Sequence, residues 1–384
     1  MSNGGNPYGV LGPVPGLSFA QVFSTLNAPT IAYLPFWPLV TGLMYTIYSQ
    51  LGGGDRFAYY FLLKQPVIAG DVILAYLLYS YVSSKVRSGS STWVLLFWLL
   101  SPYTIIVSGI WGMFDSIAMA FITVSIMSTS SLKRAFWTGL GIFAKSIPLI
   151  YALPMTIKRG RRPWAFIVSI ALPALLSLGT FAAVGWPIST ITSTLASTAS
   201  KGGESMSVWD AFFYLVYLGV IQPLTANIYQ ILGLVWVPAL LLFTLLAFRR
   251  FRVETDYGLV QTLLVVTLAF LIFKARVTEQ YAIYLLALSV IDVALWSPRR
   301  KGILLATMGV VLTYLVINNY FLIRFLSPVY PAFSQVESGL FQMIGPVRYA
   351  VDFLLGSAFT LLNIRYLIEV FRKRNLPTTE PPLQ

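Results

Sequence analysis

Long apolar runs separated by short polar segments dominate this chain. A helix of about 20 apolar residues crosses the hydrocarbon core of a bilayer. Runs close to that length lie at residues 57–84, 92–109, 112–129, 163–184, 228–248, 257–273, 277–295, 302–322 and 348–371. The pattern predicts an all-α fold, a polytopic transmembrane helical bundle of about 9 to 11 spans. We assign residues 57–384 to this transmembrane helical domain.

One apolar segment, residues 135–157, does not fit a simple crossing. It carries Gly139, Gly141, Lys145 and Pro148 in its middle, and basic residues border both of its ends. Proline removes a helix hydrogen bond and kinks the chain. We therefore expect one broken helix pair here, which enters and leaves the membrane on the same side.

Basic residues lie mainly at the ends of the apolar runs, and they predict the orientation. Lys and Arg concentrate in cytoplasmic loops, so the clusters mark cytoplasmic ends: Lys85/Arg87, Lys133/Arg134, 158–162, 249–252, 299–301 and 372–374. This orientation puts residues 1–56 outside as a first-loop region, with 33–50 as an interfacial helix in the outer leaflet. In the alternative, residues 33–50 cross the membrane and the N-terminus is cytoplasmic.

Composition excludes several classes of protein. The chain is 57% hydrophobic and 10% charged, whereas soluble domains carry roughly 25% charged residues. Its net charge of +13 lies beside apolar segments, which indicates contact with membrane lipids and no nucleic acid. The absence of Cys and His removes thiol nucleophiles, His bases and nearly every zinc or haem site. We predict a multi-pass protein of the cell membrane with no cofactor and no metal.

Ionisable residues within or beside the spans are candidates for function, because a charge in a bilayer is costly. Asp115, in SGIWGMFDSIAMAF, lies just inside the outer end of its span. It could project into an outward-facing cavity as a base or a substrate-binding group. It could also cap the N-terminus of its helix, and both roles can hold together.

A second candidate is the short external loop FKARVTEQYAIY. Lys274 and Arg276 form a cationic pair that could bind a phosphate, with Glu279 positioning Arg276 or a sugar hydroxyl. The alternative is a helical Arg276–Glu279 pair, worth a few tenths of a kcal/mol.

Three more charged residues lie inside spans. Lys145 could hold a lipid-borne phosphate or pair with Asp71. Lys64 and Asp71 lie seven residues apart on one helix face, and we interpret them as a structural polar pair that locks helices together.

Five segments in fixed order resemble a known family. They are YLPFWPLVTGLMY, LLKQPVIAGDVILAYLLY, SPYTIIVSGIWGMFDSIAMAF, GLGIFAKSIPLIYALP and KARVTEQYAIYLLAL. Together they resemble the polytopic GT-C-type glycosyltransferases that use a polyprenyl-phosphate sugar donor, most of all the prokaryotic relatives of GPI-anchor mannosyltransferases. Met113 replaces a glutamine of that family's pattern. Residues 278–281 stand where His-Glu-Arg-Tyr is usual and retain Glu279 and Tyr281.

The resemblance implies an inverting transfer of a sugar, mannose-like, from a polyprenyl-phosphate donor to a glycan or lipid acceptor at the external face. It implies Asp115 and Glu279 as catalytic residues. It implies substrate contacts from the residues of the matching segments and from one later arginine: Lys274, Arg276, Tyr281, Lys145, Tyr33 and Arg348.

The resemblance also implies an aspartate in a first external loop, directly after a first transmembrane helix. Asp55 is the only acidic residue before residue 70, and it lies after the segment YLPFWPLVTGLMY. We expect a first helix and its loop aspartate to be missing from this chain. The alternatives are a transporter or flippase of lipid-linked or small anionic solutes, and a non-catalytic membrane partner. Transporters typically show interrupted helices in two repeated halves, and only 135–157 is interrupted in this sequence.

Overall fold

All regular secondary structure within the described residues is helical. The computed structural model describes residues 34–86, 89–157, 163–184, 205–209, 215, 233–326, 330 and 332–372. No strand occurs within these ranges, and the predicted all-α class is confirmed. The helices are α1 Phe36–Gln50, α2 Arg56–Ser83, α3 Ser90–Trp111, α4 Asp115–Met127, α5 Ser131–Ala144, α6 Ala152–Ile157, α7 Pro163–Val184, α8 Trp236–Arg250, α9 Asp256–Phe273, α10 Ala282–Leu295, α11 Lys301–Asn318, α12 Ile323–Leu326 and α13 Ala332–Phe371.

Six of these helices are long and apolar enough to cross a membrane. They are α2, α3, α7, α9, α11 and the Val347–Phe371 part of α13. The prediction of about 9 to 11 spans also counted α4, α8 and α10, which are 13, 15 and 14 residues long. The helices α4 and α10 are shorter than predicted because the chain turns before Asp115 and is not helical at 274–278.

The predicted break in residues 135–157 is present and lies at Lys145. Helix α5 ends at Ala144, and Lys145 adopts extended backbone with φ −154° and ψ 142°. Pro148 explains the break, because it has no N–H to bond to the Ala144 carbonyl and its ring clashes with that carbonyl. A 3₁₀ turn, Ile147–Tyr151, then leads into α6.

The two halves of this broken pair return to the same end of the bundle. Ser125 Oγ, near the end of α4, donates to the carbonyl of Arg134 near the start of α5 at 2.9 Å. The same atom lies 3.6 Å from the sulfur of Met155 in α6. The start of α5 and the end of α6 therefore flank one level of α4, as expected for a segment that enters and leaves on one side.

Several of the basic clusters meet at one end of the bundle, which we call the basic end. Lys85, at the end of α2, pairs with Asp256 at the start of α9 at 2.8 Å. Arg300, before α11, donates to the carbonyl of Glu369 near the end of α13 at 2.7 Å. Because α9 and α11 both start at this end, their last residues lie at the opposite end.

Helices α9 and α10 form the centre of the bundle. In α9, 83% of the residues in its most apolar window are buried, against 28% in α7. In α10, every residue from Ala282 to Val293 is buried. The loop 274–281, which connects α9 and α10, is therefore anchored at the middle of the end opposite to the basic end.

Candidate functional site

Asp115 is brought to the centre of this opposite end by a tight turn. The π-helix Ile105–Trp111 ends at Gly112, whose φ of 84° favours glycine because other residues carry a Cβ. Asp115 is then the first residue of α4, while Phe114 occupies the N-cap position without a side-chain hydrogen bond. The Asp115 side chain is 0% exposed. The carboxylate therefore neither projects into an open cavity nor occupies the N-cap position.

Lys145 binds this carboxylate directly. Its Nζ lies 2.5 Å from Asp115 Oδ2, with both side chains buried. The ammonium also lies 4.8 Å from the ring centre of Phe114 and 5.9 Å from that of Tyr281. The hydroxyl of Tyr284 faces the same carboxylate. The chain break at Lys145 permits this arrangement, because extended backbone lets the side chain leave the end of α5 toward α4.

The loop 274–281 contributes the two cations that the sequence indicated. The Lys274 side chain is buried, and its ammonium lies 5.2 Å from the ring centre of Trp236. Burial, and secondly the nearby charge of Arg276, lowers the pKa of Lys274 to about 8. Arg276 is half-buried, and residues 274–278 are not helical. A helical pair of Arg276 with Glu279 is therefore not formed.

Glu279 is held by a buried hydrogen-bond network. Its Oε1 accepts from Nδ2 of Asn318 at 2.8 Å and from Nδ2 of Asn319 at 3.3 Å. Arg348 in turn donates to Asn318 Oδ1 at 2.6 Å. The Tyr103 hydroxyl donates to the backbone carbonyl of Glu279 at 2.6 Å. Burial raises the pKa of the Glu279 carboxyl above its usual range, and the Asn318 hydrogen bond opposes this rise.

The backbone after Asn319 is strained. Tyr320, Phe321 and Leu322 have φ of 49°, 56° and 69°, in the left-handed region that costs a non-glycine residue about 1–2 kcal/mol. Such strain clusters at functional sites, where the surrounding structure maintains it. Here it follows the two asparagines that hold Glu279.

Tyr103 and Tyr281 connect the two carboxylates into one site. Tyr103 bonds to Glu279 and lies within electrostatic reach of Asp115, and the Tyr281 ring lies beside Lys145. The sequence-predicted residues Asp115, Lys145, Glu279 and Tyr281 are thus neighbours. Among the described residues there is no group of three or more acidic side chains that could hold a metal ion.

The other predicted residues lie further from this centre or outside the described ranges. Arg348 is buried behind Asn318 and 3.6 Å from Asp352, so it supports Glu279 through Asn318. Tyr33 lies outside the described residues. Asn318, Asn319, Tyr103 and Tyr284 were not singled out from the sequence, although two adjacent asparagines closing an apolar run were a usable signal.

Lys64 and Asp71 each tie α2 to α3, and neither contacts Lys145. Lys64 Nζ donates to the carbonyl of Ile110 at 2.5 Å, at the end of the π-helix. Asp71 accepts from Trp98 Nε1 at 3.0 Å. Lys145 pairs with Asp115 and not with Asp71, which was one of its two predicted alternatives, because α5 packs against α4.

A short segment, residues 205–209, covers the loop 274–281. The Met206 amide donates to the Val277 carbonyl at 2.8 Å, and the Val277 amide donates to Ser205 Oγ at 2.8 Å. Ser207 approaches Gly356 of α13 so closely that a Cβ there would lie 2.9 Å from the Ser207 carbonyl oxygen. The loop is therefore fixed from below by α9 and α10 and from above by this segment.

The chain is distantly similar to one characterised kind of enzyme. It is 26% identical over 242 residues to the GPI mannosyltransferase 1 of Eremothecium gossypii. The aligned region covers 59% of this chain and 59% of that protein. The chain thus spans about 59% of the length of the curated relative it matches. No family model and no solved structure matches the sequence. The chain is a helical membrane protein with several spans and a distant likeness to a mannosyltransferase.

Proposed function

We propose that this protein is an integral-membrane glycosyltransferase. It transfers a sugar, mannose-like, from a polyprenyl-phosphate donor to a glycan or lipid acceptor on the external face of the cell membrane. The observation that carries the proposal is the juxtaposition of the buried Asp115–Lys145 pair with the loop 274–281, which supplies a second carboxylate and two cations. The similarity to a GPI mannosyltransferase supports the same class of reaction.

The reaction needs two kinds of group. The acceptor oxygen forms a bond to the anomeric carbon of the sugar, the bond from that carbon to the phosphate oxygen breaks, and polyprenyl phosphate leaves. A carboxylate takes the proton of the acceptor hydroxyl. Cations stabilise the negative charge that develops on the departing phosphate. In our proposal Lys274 and Arg276 bind this phosphate.

Asp115 and Lys145 neutralise each other in the structure. In our proposal the donor phosphate competes for the Lys145 ammonium, and the Asp115 carboxylate becomes free to accept the proton. The raised pKa of Glu279 fits a second acid–base group, since catalytic carboxyls are tuned toward neutral pH by burial. Tyr281, next to Lys145, then forms one wall of the sugar site.

An apolar groove gives the polyprenyl chain a path to this site. It has a volume of about 310 Å³ and lies between α3 and α11. Its walls are almost entirely apolar and include Phe97, Leu100, Leu305 and Leu312, and Tyr103 lines it as well. Tyr103 also bonds to Glu279, so the groove adjoins the network that holds the candidate carboxylate.

The test is a transfer assay on membranes containing full-length variants, with radiolabelled mannose on a polyprenyl phosphate as donor. Asp115→Asn should lower transfer by at least 100-fold, within the contribution of about 10²–10⁴ of a general base. Asp256→Asn is the matched control, because Asp256 pairs with Lys85 at the basic end and should retain activity within twofold. The double variant Asp115→Asn/Lys145→Met removes both charges, so it should remain folded and inactive.

Retained transfer by Asp115→Asn would remove that residue from the reaction. The transporter alternative would replace our proposal under a different outcome. In that outcome the purified protein moves a lipid-linked sugar across the membrane of vesicles and forms no glycosidic bond.

A further inference from the structure

We propose that the basic end carries a second binding site, for the phosphate headgroup of an anionic phospholipid. A pocket of about 650 Å³ lies between the start of α11 and the end of α13. Its polar wall consists of Arg299, Arg300, Arg365, Glu369 and Arg372. Its ligand does not depend on the glycosyltransferase assignment, because the pocket lies at the other end of the bundle.

Arg300 forms the fixed wall of the pocket. Its side chain is 1% exposed, and Nη1 donates to Gln261 Oε1 at 2.9 Å and to Asp292 Oδ2 at 2.8 Å. Its Nη2 donates to the Glu369 carbonyl at 2.7 Å. The Nε group has no hydrogen-bond partner among the described residues. A buried donor left without a partner is costly, and Arg300 is the lining residue that carries it.

Arg365 is a cation on a lipid-facing surface of α13. Its helix neighbours Leu361, Ile364 and Ile368 are 66%, 38% and 61% exposed, as expected for side chains in contact with acyl chains. Arg365 lies seven residues before Arg372, so it is about 10 Å further from the basic end along the helix. A charge at this depth is costly unless it is paired, and no described acidic residue pairs with Arg365. A lipid phosphate drawn into the pocket supplies the counter-charge.

The charges of the pocket leave an excess of cations. Glu369 pairs with Arg372 at 3.2 Å, and Arg300 pairs with Asp292 at 2.8 Å. Arg299 and Arg365 then remain for the ligand. The helix dipole of α11 adds to this field, since its N-terminal end has no side-chain cap and favours a negative group. The site therefore favours a headgroup that carries a net negative charge over a zwitterionic headgroup whose charges cancel.

The apolar side of the pocket favours a lipid over free phosphate. Ile303 and Ala306, in α11, follow Arg299 and Arg300, and Leu362 precedes Arg365 in α13. All three apolar residues therefore lie further from the basic end, toward the membrane-spanning parts of both helices. An acyl chain can follow these residues while the headgroup stays at the arginines. A soluble phosphate would bury nothing against that wall.

The experiment measures lipid binding to the purified full-length protein in an uncharged detergent. The probes are phosphatidylglycerol, phosphatidylcholine and inorganic phosphate, each titrated separately. Phosphatidylglycerol should bind at least tenfold more tightly than the other two probes. Arg365→Gln should weaken it about tenfold, as for the loss of one charge-assisted contact. Arg249→Gln is the matched control, because Arg249 is also exposed at the end of a helix but does not line the pocket, and it should change binding less than twofold.

A second variant tests the apolar wall without changing any charge. Ala306→Phe should weaken phosphatidylglycerol binding severalfold and leave the response to inorganic phosphate unchanged. Equal losses in Arg365→Gln and Arg249→Gln would overturn the site in favour of general surface charge. Inorganic phosphate binding as tightly as phosphatidylglycerol would overturn the lipid as its ligand, and so would unchanged lipid binding in Ala306→Phe.

Discussion

Removing one member of the Asp115–Lys145 pair should destabilise the protein far more than removing both. The two side chains are 0% and 5% exposed, and their charged atoms are 2.5 Å apart. Deleting one partner leaves an uncompensated buried charge, which costs about 3–5 kcal/mol. Replacing both partners by uncharged groups of similar volume is often close to neutral. The variants Asp115→Asn and Lys145→Met, singly and together, form the cycle.

The surroundings of the pair refine the expected size. In Asp115→Asn the remaining Lys145 ammonium still faces the rings of Phe114 and Tyr281. A desolvated cation–π contact is worth about 2 kcal/mol, so this single variant should lie near the lower bound of about 3 kcal/mol. In Lys145→Met the Asp115 carboxylate keeps the Tyr284 hydroxyl as its neighbour. We expect a coupling energy of at least 2 kcal/mol between the two sites.

The assay is equilibrium unfolding of the purified protein in detergent micelles, followed by the fluorescence of its 10 tryptophans. The control cycle uses Lys85 and Asp256, whose pair at 2.8 Å is 36% and 30% exposed and should couple by less than about 1 kcal/mol. If the Asp115–Lys145 coupling is no larger than the control coupling, the two groups do not form a buried ion pair, and the reasoning on their roles fails with it.

Three further perturbations address other parts of the structure. Because the pKa of Lys274 is about 8, its ammonium loses its charge as the pH rises through 8. The KM for the donor should then increase about fivefold from pH 8 to pH 9, and Lys274→Arg, which keeps its charge, should abolish this increase. Gly356→Val should displace the backbone at Ser207, which lies 2.9 Å from the added Cβ, and should lower transfer. Gly345→Val, on the same helix with open space around it, should not; equal losses would argue against a covering role for residues 205–209. Gly309→Trp should fill the groove between α3 and α11 and raise the KM for a long-chain donor more than for a short-chain donor, whereas equal effects on both would exclude the groove as the lipid path.

Local sequence signals predicted the elements that depend on nearby residues. The break at Lys145 followed from Pro148, whose effect acts over four residues. The clustering of basic residues at one end followed from the positive-inside rule and agrees with the Lys85–Asp256 contact. Helix bounds were predicted less well. The turn at Gly112 shortens α4 and the non-helical residues 274–278 shorten α10, and neither feature changes the hydropathy of the run.

The partners within the site could not be predicted in this way. The sequence offered Asp71 as a possible partner of Lys145, whereas the observed partner is Asp115, and this choice depends on which face of α4 packs against α5. The Asn318 contact with Glu279 joins residues 39 positions apart. A single sequence contains no local signal that shows which polar residues of different helices will contact each other.

The returning path of residues 131–157 has a consequence for the sidedness of the whole chain. If this segment were counted as one more crossing, every later helix would be inverted relative to the earlier ones. Asp115 and the 274–281 loop would then be assigned to different compartments, although Lys145 and Tyr281 hold them side by side. The break before Pro148 thus keeps the charged groups from both halves of the sequence at the same end of the bundle.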